Sequence, residues 1–382
     1  MKIEYTDPGK LLTVLLALPF AFFGITIYAG TLPAIQIAYH TSTTAILLTI
    51  SSYLLGLGLG LLILNVQLLN KRWLAISLIL FPITTLLITY LSSMTIFFLL
   101  RFILGLLAAI IFLATENAKL TLEESYHQFY INIYSADMMM LAPILAPLIG
   151  SSLYVTDDWH IPLLLFTGYA FLLFILTTLY FTAALQTPFA DKKLLVIQKK
   201  LFLSGFFQIT AIKYSLLFMN ILALTSIGSF LLQSRYGLSP QQYGFTISGM
   251  GVAILIGQIV SHSLTHQRIQ TLEKPAVTLS LLNSLFLLLF YYTGTHPLYL
   301  IVLTGILNLF IVGLLLPYYK TCSMIFKPGL SQLSNRTFTG TWILYAAILV
   351  FASSFYDPFT LLTLTAIWLG CHFAVFALVF LL

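Results

Sequence analysis

Charge is what this sequence has least of. Charged residues make up 7% of its 382 positions, with 11 acidic and 17 basic side chains. A soluble domain carries roughly a quarter charged residues, so a water-exposed globule is excluded. Cysteine is nearly absent: Cys322 and Cys371, each in an apolar run, cannot make a disulfide framework or a metal site. There is no P-loop, no H-E-x-x-H pair and no serine nucleophile elbow. Most connections are short, leaving no soluble domain for a nucleotide or a catalytic centre. The chain therefore reads as no enzyme, with no cofactor and no metal.

What is present is apolar. Hydrophobic residues make up 60% of the chain and the mean hydropathy is +1.01, so its solvent is the lipid bilayer. The net charge of +6 is accordingly no sign of nucleic-acid binding. What matters is where the positive residues fall.

A helix needs about 20 apolar residues to cross the hydrocarbon core. Cutting at polar, charged and Gly/Pro breaks predicts spans near 11–33, 43–66, 73–92, 95–118, 129–153 and 161–184. A second set follows near 211–233, 242–264, 275–293, 297–318, 338–355 and 360–381. The first lacks a small-residue cleavage site and is read as a retained span. The expectation is an all-α membrane protein of twelve transmembrane helices, with an N-terminal six-helix half over 1–185, a linker over 186–210 and a C-terminal six-helix half over 211–382.

Lysine and arginine set the orientation. With the N-terminus inside, the cytoplasmic side receives fifteen of them, among them Lys71, Arg72, Lys119, Lys213, Arg268 and Arg336, and the opposite side only Arg235. Both termini are thus expected in the cytoplasm. The linker holds Asp191 and four lysines and reads as a solvated connector, with Leu201 to Phe207 at the membrane surface.

Few side chains can carry chemistry. Arg101 lies about seven residues into the fourth span, where an arginine must face the bundle or snorkel outward. Asp137 lies roughly 12 Å deep in the fifth span from the cytoplasmic side. Burial raises a carboxyl pKa and a nearby arginine lowers it. If Arg101 comes and goes, Asp137 can bind and release a proton; the alternative is a static ion pair joining spans four and five. Glu116, near the inner end of span four, is read as an interfacial residue paired with Lys119, with a coupling role as the alternative. Tyr28, Met138, Asn220, Gln233 and Asn308 are polar, aromatic or polarizable points on apolar spans and are the candidate cavity residues. For each of them packing or interfacial anchoring is the competing role. His262 and His372 read as packed histidines.

One stretch stands apart. Leu141 to Gly150 carries Pro143, Pro147 and Gly150 inside a long apolar segment. Each proline removes a helical N–H and kinks its helix, which a membrane bundle tolerates where neighbours re-satisfy the backbone.

The stretch resembles the fifth-helix antiporter motif of twelve-span drug:proton antiporters of the major facilitator superfamily, in the L-A-P-I-L-A-P-L-x-G form of the Bcr/CflA group. Arg101-Phe102 with Gly105 resembles the fourth-helix R-F-x-x-G motif. Gln233 and the run Tyr236 to Gly244 resemble the group's seventh-to-eighth helix junction, and Tyr28 with Leu32 to Ile35 its first-helix ending. The resemblance implies a major facilitator fold in the bacterial inner membrane and proton-driven export of small, mostly apolar molecules, as a monomer. Departures accompany it. Thr26 stands where the family has a first-helix acid, and Ile63, Gln67 and Asn70 replace the glycine, aspartate and second glycine of the second-to-third loop. Leu104 replaces the fourth-helix glutamine. Rival expectations are a dedicated exporter of one metabolite such as a siderophore, an uptake permease, and a transport-inactive membrane sensor.

Overall fold

The computed structural model describes residues 8–64, 71–91, 93–121, 128–154, 158–180, 193–294, 297–325 and 331–381. Side chains at 71, 120–121, 128–137, 193–195, 324–325 and 331–332 lie outside the described set, which removes that of Asp137. Gln67 and Asn70 also fall outside the described residues.

The first span is not one helix. It is assembled from α1 (Pro8–Ala17), α2 (Phe20–Thr26), a 3-10 turn over Ala29–Thr31 and α3 (Leu32–Ala38). Pro19 lies at the first break, and Gly30 and Pro33 flank the second. Then come α4 (Thr43–Ile63), α5 (Lys71–Tyr90), α6 (Met94–Thr121), α7 (Gln128–Ser152) and α8 (Ile161–Tyr180). A short α9 (Lys193–Phe202) precedes α10 (Gly205–Phe230), which runs on through a π turn at Leu231–Arg235. The chain closes with α11 (Pro240–Ser263), α12 (His266–Tyr292), α13 (Leu298–Ile325), α14 (Ser331–Ser353) and α15 (Leu361–Phe380). Among the described residues eleven segments are long and apolar enough to cross a membrane, and α7 is the twelfth helix of the bundle. Among the described residues all regular structure is helical.

Several helices begin where hydroxyls satisfy their free N–H groups. Ser42 accepts from Ala45 at 3.2 Å. Ser239 and Gln242 bond each other's backbone in a capping box. The helices also run past the predicted spans at the lysine- and arginine-rich end, here called the basic end. There α12 starts at His266 and α13 continues to Ile325, because the helical backbone ladder continues into the interface after hydropathy has fallen.

The two halves share one arrangement. In the first half α4 packs on α6, and in the second α11 packs on α13. Both contacts are backbone-close. A Cβ on Gly56 would meet the Phe102 carbonyl oxygen at 2.1 Å, and one on Gly313 would meet that of Ile254 at 2.2 Å. With no hydrophobic drive between helices in lipid, such close approach supplies the van der Waals attraction. The halves meet along α4 with α14 and along α7 with α11.

Candidate functional site

Arg101 is buried to 1% exposure, so it faces the bundle and does not snorkel. Its Nη2 donates to the Gly24 carbonyl oxygen and to Tyr28 Oη, each at 2.9 Å. Its guanidinium carbon lies 4.4 Å from the Tyr28 ring centre and 4.6 Å from that of Tyr53, which adds cation–π attraction from both rings. Tyr28 Oη lies 3.2 Å from Thr49 Oγ1, and Tyr53 donates to the Ala21 carbonyl oxygen at 2.7 Å. Arg101 thus ties α6 to the Gly24 carbonyl of α2 and to Tyr28, near the second break in the first span. Among the described residues no carboxylate lies within ion-pair distance of it.

The α7 motif works through close backbone approach. A Cβ on Gly150 would sit 1.7 Å from the Ile27 carbonyl oxygen, so only glycine lets α7 touch the end of α2. Asp137 precedes Gly150 on the same helix by about 20 Å of rise. Ile27 lies one turn beyond Gly24, where Arg101 is bonded. The backbone of Asp137 is therefore roughly 15 Å along the axis from that level. Pro143 and Pro147 lie inside the helix, and the carbonyls around them are used across the bundle. Ser248 of α11 donates to the Ile144 carbonyl oxygen at 2.6 Å. A Cβ on Gly244 would lie 2.9 Å from that of Pro147.

Two seams close the space between the halves. At the end opposite the basic one, here the far end, Ser229 donates to the Ala29 carbonyl oxygen at 2.6 Å. Gln233 donates to that of Gly30 at 2.9 Å. These acceptors are backbone groups exposed by the break in the first span, and their donors sit at the π turn ending α10. At the basic end Arg336 of α14 donates from Nε to the Leu61 carbonyl oxygen at 2.6 Å and from Nη2 to that of Leu64. Gln198 of α9 donates to Leu62 at 2.9 Å. Glu116 pairs with Lys119 at 3.0 Å, as the sequence suggests, and also accepts from Asn335 of the other half at 3.4 Å.

Between the seams lies an aromatic centre. Phe22 stacks against Trp342 across the two halves, and Phe112 and Phe218 meet Phe22 edge-on. Tyr214 and Phe218 each lie 4.7 Å from Trp342. Of the remaining cavity candidates, Asn220 and Asn308 pair with each other at 3.3 Å, and Trp368 bonds the Asn220 carbonyl. They join α10, α13 and α15 within the second half. Met138 is half-buried on α7, and His372 is buried against Ser284 at 2.7 Å.

Two groupings escape sequence reasoning. The aromatic centre gives no local signal in a chain that is 15% aromatic. The other is an ion pair, Lys213 with Glu273 at 3.0 Å, in which Tyr319 also donates to Glu273 at 2.9 Å. Glu273 lies in the first turns of α12, in a stretch that hydropathy reads as loop. Outside the spans, Asp158 accepts from the His160 backbone at 2.9 Å. That bond holds its carboxyl below the usual carboxylate range.

A family model described as Major Facilitator Superfamily matches residues 14–324. The chain belongs to the major facilitator superfamily. Solved structures similar to this major facilitator chain include a D-xylose-proton symporter, with a TM-score of 0.74, 13% identity and 96% coverage of both chains. The nucleoside transporter NupG is similar at a TM-score of 0.71 and 16% identity over 98% of each chain. A POT family transporter in complex with a thioalcohol-conjugated peptide matches at 0.71 and 11%, over 98% of this chain and 94% of that one. Such identities speak for the fold alone. No curated protein sequence matches the chain. Major facilitator proteins place their substrates near the midplane between halves that rock against each other, which is where the aromatic centre of this chain lies.

Proposed function

We propose that this major facilitator transporter exports small, mostly apolar molecules in exchange for protons. The observation that carries the reading is the aromatic, carboxylate-free centre among the described residues, enclosed by hydrogen-bonded seams at both ends. An interior of this kind suits cargo that needs little compensation for its own desolvation. The seams are two sets of contacts that can break alternately, as alternating access requires.

In this reading the basic end is cytoplasmic, following the lysine and arginine asymmetry. The membrane is the bacterial inner membrane, the transporter works as a monomer, and the halves are 1–185 and 211–382 about the 186–210 linker. Asp137 is the candidate proton site, with Arg101 biasing it when the first span moves and Glu116 tying the basic seam. Pro143, Pro147 and Gly150 form the flexible contact that lets α7 move. Tyr28, Met138 and Gln233 line the path. The resemblance of the α7 motif to drug antiporters supports the export direction.

A second reading, a dedicated exporter of one anionic metabolite, draws on Arg101, whose described partners are all neutral. Proteoliposomes with an imposed pH gradient separate the two. Flux that needs an apolar substrate and is lost in Asp137→Asn supports proton-coupled export. Flux confined to carboxylate metabolites supports the second reading. Full flux in Asp137→Asn removes that residue from coupling.

A further inference from the structure

Phe22 lies at the middle of the first span and Trp342 at the middle of α14. Their rings are 16° from parallel with centres 6.2 Å apart. Among the described residues this is the one stacked pair whose rings come from different halves. We infer that these two rings form a slot for a neutral, planar aromatic molecule, held edge-on by Phe112 and Phe218 and hydrogen-bonded by Thr26. The inference rests on the transporter reading and specifies its substrate class.

The geometry of the slot carries the argument. A flat molecule between two rings needs about 7–8 Å, two van der Waals layers. The rings stand closer than that, and they belong to bodies that part when one seam opens. Rocking therefore widens this slot without disturbing the contacts within either half. Tyr214 and Phe218 pack against Trp342 from within its own half, which holds the indole in place while Phe22 withdraws. Phe112 and Phe218 meet Phe22 at 74° and 71°, so their rings stand as side walls rather than as further layers. A saturated, puckered molecule of the same composition fits such a slot poorly.

Thr26 supplies an independent observation. Most buried threonines in this bundle return their hydroxyl to a carbonyl one turn back, as Thr115 does to Ile111 and Thr341 to Thr337. Thr26 is 3% exposed, and its Oγ1 has no partner among the described residues. It follows Phe22 by one turn of α2, on the same helix face. A carbonyl or ring nitrogen on the edge of a stacked ligand would complete it.

Charge selects against cations. An aromatic cage alone attracts them, but Arg101 is bonded at Gly24, within one turn of both Phe22 and Thr26. No described carboxylate balances it there. A cation entering this low-dielectric centre would meet uncompensated repulsion.

The test is calorimetric titration of the full chain in lipid nanodiscs with coumarin, a neutral planar lactone. Its ring-saturated analogue and a quaternary-ammonium coumarin serve as comparison ligands. The wild type is expected to bind coumarin at least about tenfold more tightly than either. Phe22→Leu and Trp342→Leu should each weaken coumarin about threefold to tenfold, whereas Phe22→Tyr and Trp342→Phe, which keep a ring, should stay within about twofold. Thr26→Val should weaken it about fivefold. Equal affinity for the saturated analogue overturns the slot without needing any variant, as do Leu variants that bind like the wild type. Proton-coupled flux of other apolar compounds with no coumarin binding overturns the slot and leaves the export reading standing. Selective coumarin binding with no flux of any compound upholds the slot and sinks the export reading.

Discussion

The two seams between the halves are built from different chemistry. At the basic end the second half reaches over with an arginine. Arg336 bonds the carbonyls of Leu61 and Leu64 where α4 runs out, so a cation meets the negative end of a helix dipole. Glu116, Lys119 and Asn335 add a second charged contact. Among the described residues the far seam uses neutral donors: Ser229, Gln233 and Ser248 on carbonyls left available by a helix break or beside prolines, and Gln241 on the Tyr154 carbonyl. One seam closes on charge and the other on close backbone approach. The two ends can therefore be weakened separately, by removing charge at one and by adding volume at the other.

Spin labels at Ile63 and Arg268 report the basic end, and labels at Ile37 and Arg235 the far end, in a background lacking Cys322 and Cys371. The largest effect is expected from Gly244→Val, whose Cβ would lie 2.6 Å from Ser151 Cβ and 2.9 Å from the Pro147 carbonyl oxygen across the two halves. Overpacking costs about 1–3 kcal/mol or more, and here it pushes α11 of the second half off α7 of the first. Transport should fall at least about tenfold with a lowered Tm, while only the far-end distance lengthens. Normal transport in this variant would break the account of the far seam. Next in size is Arg336→Ala. Hydrogen bonds to a charged group are worth about 1.5–3 kcal/mol, so the population open at the basic end should rise about tenfold to a hundredfold. Arg336→Lys should rescue only part, because the ammonium lacks the guanidinium fork. Gln233→Leu removes one neutral bond worth about 1 kcal/mol, which should raise the far-open population about fivefold. A response to Gln233→Leu as large as that to Arg336→Ala would erase the contrast between the seams.

The smallest effect concerns pH at the far-end loop. The Asp158 carboxyl is depressed by the His160 backbone bond. Its contribution to stability is therefore complete above the unfolded carboxylate pKa of about 3.9 and is lost as pH falls below it. Thermal melts should be flat from neutral pH to about pH 5 for this group and decline below about pH 4. Asp158→Asn should remove that part of the decline.

The spans are legible in the sequence because hydropathy and length are one-dimensional properties, and each predicted span overlaps a helix of the bundle. The α7 motif is legible for a similar reason: Pro143, Pro147 and Gly150 act through their own backbone. Periodicity says nothing about which residues meet across the two halves. Arg101 stands out as a buried cation, yet its partners at Gly24 and Tyr28 lie in a different helix. Phe22 and Trp342 look like any other ring in a lipid-facing run. Glu273 is hidden because α12 begins before its apolar stretch does, so the half-buried partner of Lys213 reads as a loop charge. The two breaks of the first span are hidden too, since Pro19 and Gly30 sit in a segment of unbroken hydropathy.

Gly205–Arg235 is buried throughout its most apolar stretch, with no face left for lipid there. Its neighbours α13, α14 and α15 all emerge from the ribosome after it. During synthesis this segment must therefore dwell beside the insertion machinery, with Asn220, Thr225 and Ser229 still uncovered, until the last third of the chain arrives. Assembly of the second half is thus a waiting process rather than a sequential one. Substitutions that make α10 more polar should reduce the amount of protein in the membrane before they alter what the finished molecule does.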